Sequence, residues 1–206
     1  MRKRPIVALT VLSAALLAAL SAGTASAQTR VRDHRDRDWD RDGARLRYGV
    51  ALEGGGLFAP GVADLGFIGL QGQLGVQFNN LFAIYAAPNL DFVSGWRESG
   101  FQVGGALLAD FTIFHVFTVG IGPELEGFVV GGDGDMAAGV HLGARLHLAV
   151  NLLVKVDRRE ARRQALMIGL DLRLVSGGAA GELSGRGPSA AELVAGPTLM
   201  IGYQAF

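Results

Sequence analysis

The 206-residue chain has no cysteine, and after Lys3 its only lysine is Lys155. Without cysteine an exported form has neither disulfides nor a lipid-anchored N-terminal thiol, so its stability rests on packing and hydrogen-bond closure. Long apolar runs are scarce too. The one continuous run, residues 6–20, is shorter than the roughly 20 residues a bilayer-spanning helix needs. No G-x-x-x-x-G-K-[ST] pattern occurs among the 31 glycines, which excludes a phosphate-binding loop of that kind.

The N-terminus carries an export signal. Arg2, Lys3 and Arg4 precede the apolar run, and Ala25-Ser26-Ala27 supplies a small-x-small cleavage pattern before Gln28. Removing residues 1–27 takes away three of the 19 basic residues and leaves 16 against 19 acids. The mature chain is mildly acidic, and no nucleic-acid partner is expected. Residues 28–46 follow, with Arg30, Arg32, Arg35, Arg37, Arg41 and Arg45 interleaved with Asp33, Asp36, Asp38, Asp40 and Asp42. There is no apolar face of either period, so the segment reads as a solvated, disordered periplasmic tail.

From residue 47 to 206 the pattern is alternation. Ile68, Leu70, Gly72, Leu74, Val76 and Phe78 alternate with Gly69, Gln71, Gln73, Gly75 and Gln77, one face apolar and the other glycine and amide. Eight such strands are expected, near 47–58, 67–78, 81–93, 101–111, 116–129, 137–150, 165–175 and 193–205. Short connections at 79–80 and 112–115 alternate with longer ones at 59–66, 94–100, 130–136 and 176–192, as periplasmic turns alternate with extracellular loops. Aromatic or large aliphatic residues stand ten positions apart in Tyr48 and Phe58, Ile68 and Phe78, Phe82 and Phe92, and Phe101 and Phe111. A strand tilted by about 40° projects such a span to ~25 Å, the height of a transmembrane barrel's apolar band. Phe117 and Tyr203 complete the expected girdles. The apolar rows contain no charge, whereas a soluble exterior is about a quarter to a third charged. The expected fold is all-β, an eight-stranded antiparallel transmembrane up-and-down barrel with both mature termini periplasmic.

The opposite rows then fill the lumen with Glu53, Gln71, Gln73, Tyr85, Asn89, Asp91, Gln102, Asp110, Thr118, Glu124, Glu126, His141, Arg145, His147, Asp171 and Arg173. An eight-stranded barrel is just wide enough for its own side chains, so these residues describe a plugged polar core. Pairing about a loop near Asp133 sets Glu124 and Glu126 beside His141, with Arg145 one step deeper, and places Glu53 opposite Gln71. With Asp171 and Arg173 these form the candidate interior network, and across the whole inward inventory six acids face two arginines. Two irregularities stand out. Pro88, Pro123 and Pro197 fall inside strands, where bulges or displaced strand boundaries are expected. Residues 151–164 should be a periplasmic connection, yet they are long and basic, and a solvated turn or short helical excursion is expected there, contact with anionic phospholipid being the alternative.

The signal peptide, eight alternating strands, girdle spacing and terminal Phe206 together resemble the small eight-stranded outer-membrane barrels of the OmpA transmembrane domain and OmpX type, over residues 46–206. The resemblance implies residence among outer-membrane lipids, delivery by the outer-membrane assembly machinery through the last strand, and a monomer. Tyr203 and Ile201 lie on the opposite row from Phe206, so either Ala205 introduces a local bulge or the terminal signal is imperfect. Such barrels serve structural, adhesive or membrane-integrity roles, and a minority are lipid-modifying enzymes. The primary expectation is a structural or membrane-integrity role with no general pore. Adhesion or ligand binding through loops 94–100, with Trp96, Arg97 and Glu98, and 176–192 is the alternative. A lipid-modifying enzyme is the second, but Ser94, Ser99, Ser176, Ser184 and Ser189 all lie in or beside loops while His141 points inward. No catalytic residue, cofactor or metal site is expected.

Overall fold

Period-two alternation between hydrocarbon-compatible and polar side chains can bury the polar row only if the sheet curls around it and closes. The computed structural model, which describes residues 44–58, 65–95, 98–114, 116–132, 135–157, 162–180 and 192–206, has that closure. Its strands are β1 (Arg45–Leu57), β2 (Leu65–Gln77), β3 (Phe82–Ser94), β4 (Ser99–Ile113), β5 (Phe117–Gly132), β6 (Asp135–Asp157), β7 (Arg162–Ala180) and β8 (Glu192–Ala205). Each pairs antiparallel with the next, and β8 pairs with β1. The signal segment, nearly all of the tail, Trp96, Arg97 and residues 181–191 lie outside the described residues.

Register fixes the barrel's stagger. Pairing runs from Asn151 to Met167, Gly202, Ala51, Gln71, Asn89, Gly104, Glu126 and back to β6 at His141. The circuit returns ten residues from its start, between Asn151 and His141 on the same strand. Such a shear with eight strands requires a tilt of about 35–45°. Every residue on the circuit faces inward, so one turn of the ladder spirals along the lumen from Asn151 to His141.

Between its two rims the outer wall is apolar. Leu52, Ile68, Leu70, Leu90, Val103, Leu125 and Leu142 are all exposed, as lipid-facing residues of an isolated barrel must be. Phe82 lies opposite Phe111 and Phe92 opposite Phe101 across β3 and β4, with ring centroids 5.1 and 5.5 Å apart. Phe78 stacks on Phe82 at 5.7 Å, and Tyr48, Phe58, Phe117 and Tyr203 share the outward rows. All nine expected girdle residues therefore face outward.

Several expectations need correction. Arg45 and Leu46, assigned to the tail, pair with Gln77 and Val76. None of the three prolines produces a bulge. Pro88 pairs with Gly105, Pro123 with Ala144 and Pro197 with Leu172, and each interrupts only the ladder on its other side. Beyond Pro197 the β1–β8 register resumes at Phe58 and Ala195, with mutual 2.9 Å hydrogen bonds. A missing N–H removes one rung but inserts no residue, so the register survives; a bulge needs an extra residue. Within 151–164, residues 151–157 and 162–164 continue the β6–β7 ladder, with one irregularity between Leu152 and Lys155, and the turn expected there is confined to residues 158–161, which lie outside the described residues. Phe206 exchanges hydrogen bonds of 2.8 and 2.6 Å with Arg163, directly extending the Gln164–Ala205 pair, so Ala205 makes no bulge.

Candidate functional site: the interior polar network

Each strand delivers its polar row to the lumen by parity alone, and glycine decides how closely the rows approach. A Cβ on Gly69 would collide with the Asp91 carboxylate and the Leu90 carbonyl; one on Gly120 would strike Asp110. Glycine here is a socket for a neighbouring carboxylate.

Arg173 on β7 is the hub. Its guanidinium donates to Glu53 on β1 at 2.6 Å, to Asp91 on β3 at 2.9 Å and to Glu126 on β5 at 3.0 Å, reaching every second strand of the barrel. Phe67 lies 4.9 Å from it, ring to guanidinium carbon. Arg145 on β6 donates through Nε to Glu124 at 2.9 Å and also through Nη2, while Asn89 lies at 3.4 Å and the Asp171 carboxylate at 3.6 Å. Gln102 donates to Glu126, and Asn89 to Asp91 at 2.8 Å. His147 Nδ1 meets Asp171 at 2.6 Å. All these charged groups are fully buried, and multidentate pairing of this kind is what makes buried ions tolerable.

A second layer closes the other end. Arg47 on β1 donates to Asp110 on β4 at 2.8 Å and to Gln204 on β8 at 3.1 Å, with its guanidinium 4.2 Å from the Tyr85 ring centre. Gln204 donates to Asn151, and Asn151 to Thr118 at 3.2 Å. Small apolar clusters, Ala51 with Ala149, Met167 and Met200, and Tyr85 with Ala87, Ala106 and Leu108, fill space between the polar groups.

Of the expected network, Glu53, Glu124, Glu126, Arg145, Asp171 and Arg173 converge. Glu126 lies opposite His141 as expected, but the His141 ring stacks on Phe128 at 4.5 Å and its Nδ1 has no hydrogen-bond partner. Gln71 is also apart: it lies opposite Ala51 and Asn89, Glu53 being opposite Gly69, and neither amide atom has a partner. Arg47 was missed and joins Arg145 and Arg173 as a fully buried arginine. Its parity with Glu53 was a usable signal, obscured because Arg47 continues the arginine-rich tail. Ser94, Ser99 and Ser176 lie on outward rows while His141 and His147 lie on inward rows, so no serine–histidine pair forms among these residues.

Fold and lining together define a small, closed, eight-stranded up-and-down barrel of the outer-membrane type. No family model and no curated protein matches the sequence. Among solved structures, the outer membrane protein OprG from Pseudomonas aeruginosa is similar, with 12% identity and a TM-score of 0.41 over 80% of this chain and 96% of OprG.

Proposed function

We propose that the protein is a resident of the outer membrane with a structural or membrane-integrity role, no catalytic activity and no general pore. The observation that carries this reading is the convergence of β1, β3, β5 and β7 on Arg173 at 2.6 to 3.0 Å. Side chains from opposite walls meet there, and the Arg47–Asp110 layer meets again below. A lumen crossed twice by ion pairs admits no hydrated solute unless those pairs open. The outward rows support residence in hydrocarbon. On this reading both ends of the mature chain and the turns at 78–81 and 114–116 face the periplasm. Purified protein in planar bilayers is expected to give no large steady conductance; a porin-sized open state would contradict the closed lumen.

A further inference from the structure

The β6–β7 hairpin outruns the wall beside it. β5 begins at Phe117, paired with Val150, yet β6 continues to Asp157. Between Leu152, paired with Leu166, and Lys155, paired with Gln164, β6 takes three steps against two on β7. That one extra residue reverses the facing of everything after it, a known use of bulges to re-aim a side chain. Were the same residues paired in an unbulged ladder, Val154 would stand opposite Gln164 and Lys155 would turn inward. With the bulge, the only lysine of the mature chain stands exposed on the outer row, directly beyond Leu146, Leu148, Val150 and Leu152.

The surroundings are unusual in the same way. Leu153, within the bulge, has φ of 51° and is 74% exposed; Phe114, in the β4–β5 turn, has φ of 52° and is 84% exposed. These are the two non-glycine residues with positive φ among those described, and bulky side chains seldom adopt that backbone without a reason in the surroundings. The turn abuts the bulged strand: the Asn151 N–H donates to the Val116 carbonyl at 2.7 Å. One stretch of rim therefore presents two exposed apolar side chains and an ammonium at the foot of an aliphatic column.

We propose that this bulge builds a docking site for the headgroup of an anionic glycerophospholipid. It rests on the membrane-spanning reading above. Acyl chains lie along Leu148, Val150 and Leu152, Leu153 and Phe114 enter the boundary between chains and headgroups, and the Lys155 ammonium meets the phosphate. A lysine at the end of an apolar row keeps its stem in the chains and its charge at the headgroups. The Lys155 ammonium favours a lipid with net negative charge over a zwitterionic one.

The test is native mass spectrometry of the protein released from nanodiscs of phosphatidylcholine mixed with phosphatidylglycerol. Wild type is expected to retain phosphatidylglycerol preferentially, less so as salt rises. Lys155→Met is expected to weaken that preference about fivefold, the usual contribution of one basic residue at such a surface, and Lys155→Arg to keep it. Slower migration after boiling certifies that each variant was folded. Entry into nanodiscs with no lipid preference, or an unchanged preference in Lys155→Met, overturns the docking site alone. Failure of wild type to enter nanodiscs overturns the membrane reading and the site with it.

Discussion

Arg173 holds three carboxylates from three other strands, so its loss isolates more charge than any other single interior change. Arg173→Met should leave Glu53, Asp91 and Glu126 without their shared cation, at a cost of about 3–5 kcal/mol for breaking a buried pair. The measurement is the thermal unfolding midpoint in detergent. Adding Glu53→Gln should recover part of the loss, because one uncompensated charge goes with it; an Arg173→Met variant as stable as wild type would remove the hub role. Gly69→Ala tests the socket. Its Cβ must displace the Asp91 carboxylate and the neighbouring backbone, and crowding of this kind costs roughly 1–3 kcal/mol. Gly66→Ala, on the outward row with no heavy atom closer than 3.8 Å, is expected to change little under the same measurement.

At the scale of the strand, parity assigns each residue to lipid or lumen, and β2 tests it at adjacent positions. Leu70 is 52% exposed on the outer wall and Gln71 is 1% exposed inside. With no native cysteine to interfere, a spin label at Leu70→Cys should respond strongly to a quencher dissolved in acyl chains and one at Gln71→Cys weakly. Leu70→Arg near the midplane should cost about 2–4 kcal/mol. The reverse pattern of labels would turn the barrel inside out. Strand facing was legible throughout from the sequence because period two is a local property, and all three prolines left it intact. Only the extra residue in β6 changed it, and no residue type announces a bulge there: Leu152, Leu153 and Val154 are all apolar. The same locality explains why the strands run on through 151–157 and 162–164, where basic residues suggested a solvated connection while the backbone continues the ladder.

Across the whole molecule, closure of β8 onto β1 leaves no edge from which the sheet can unravel. Unheated samples should therefore migrate faster in detergent electrophoresis than boiled ones, with β-rich circular dichroism before boiling. Equal mobility with no β signal would contradict the closed ladder. Closure also sets who meets whom inside. Glu53 and Arg173 are 120 positions apart in sequence and come within 2.6 Å because the sheet returns to itself ten residues out of step.

The sequence by itself determined the number of strands, the facing of nearly every residue in them, the outward placement of the aromatics and the polar groups sent inward, since each follows from alternation along a single segment. Only the tertiary structure decided which of those groups are partners. Glu53 bypassed the neighbouring Gln71 for an arginine across the lumen, His141 left the acids for Phe128, and Arg47 became the anchor of a second layer. Those choices depend on shear, tilt and the glycine sockets, which are properties of the closed sheet. No strand read alone contains them.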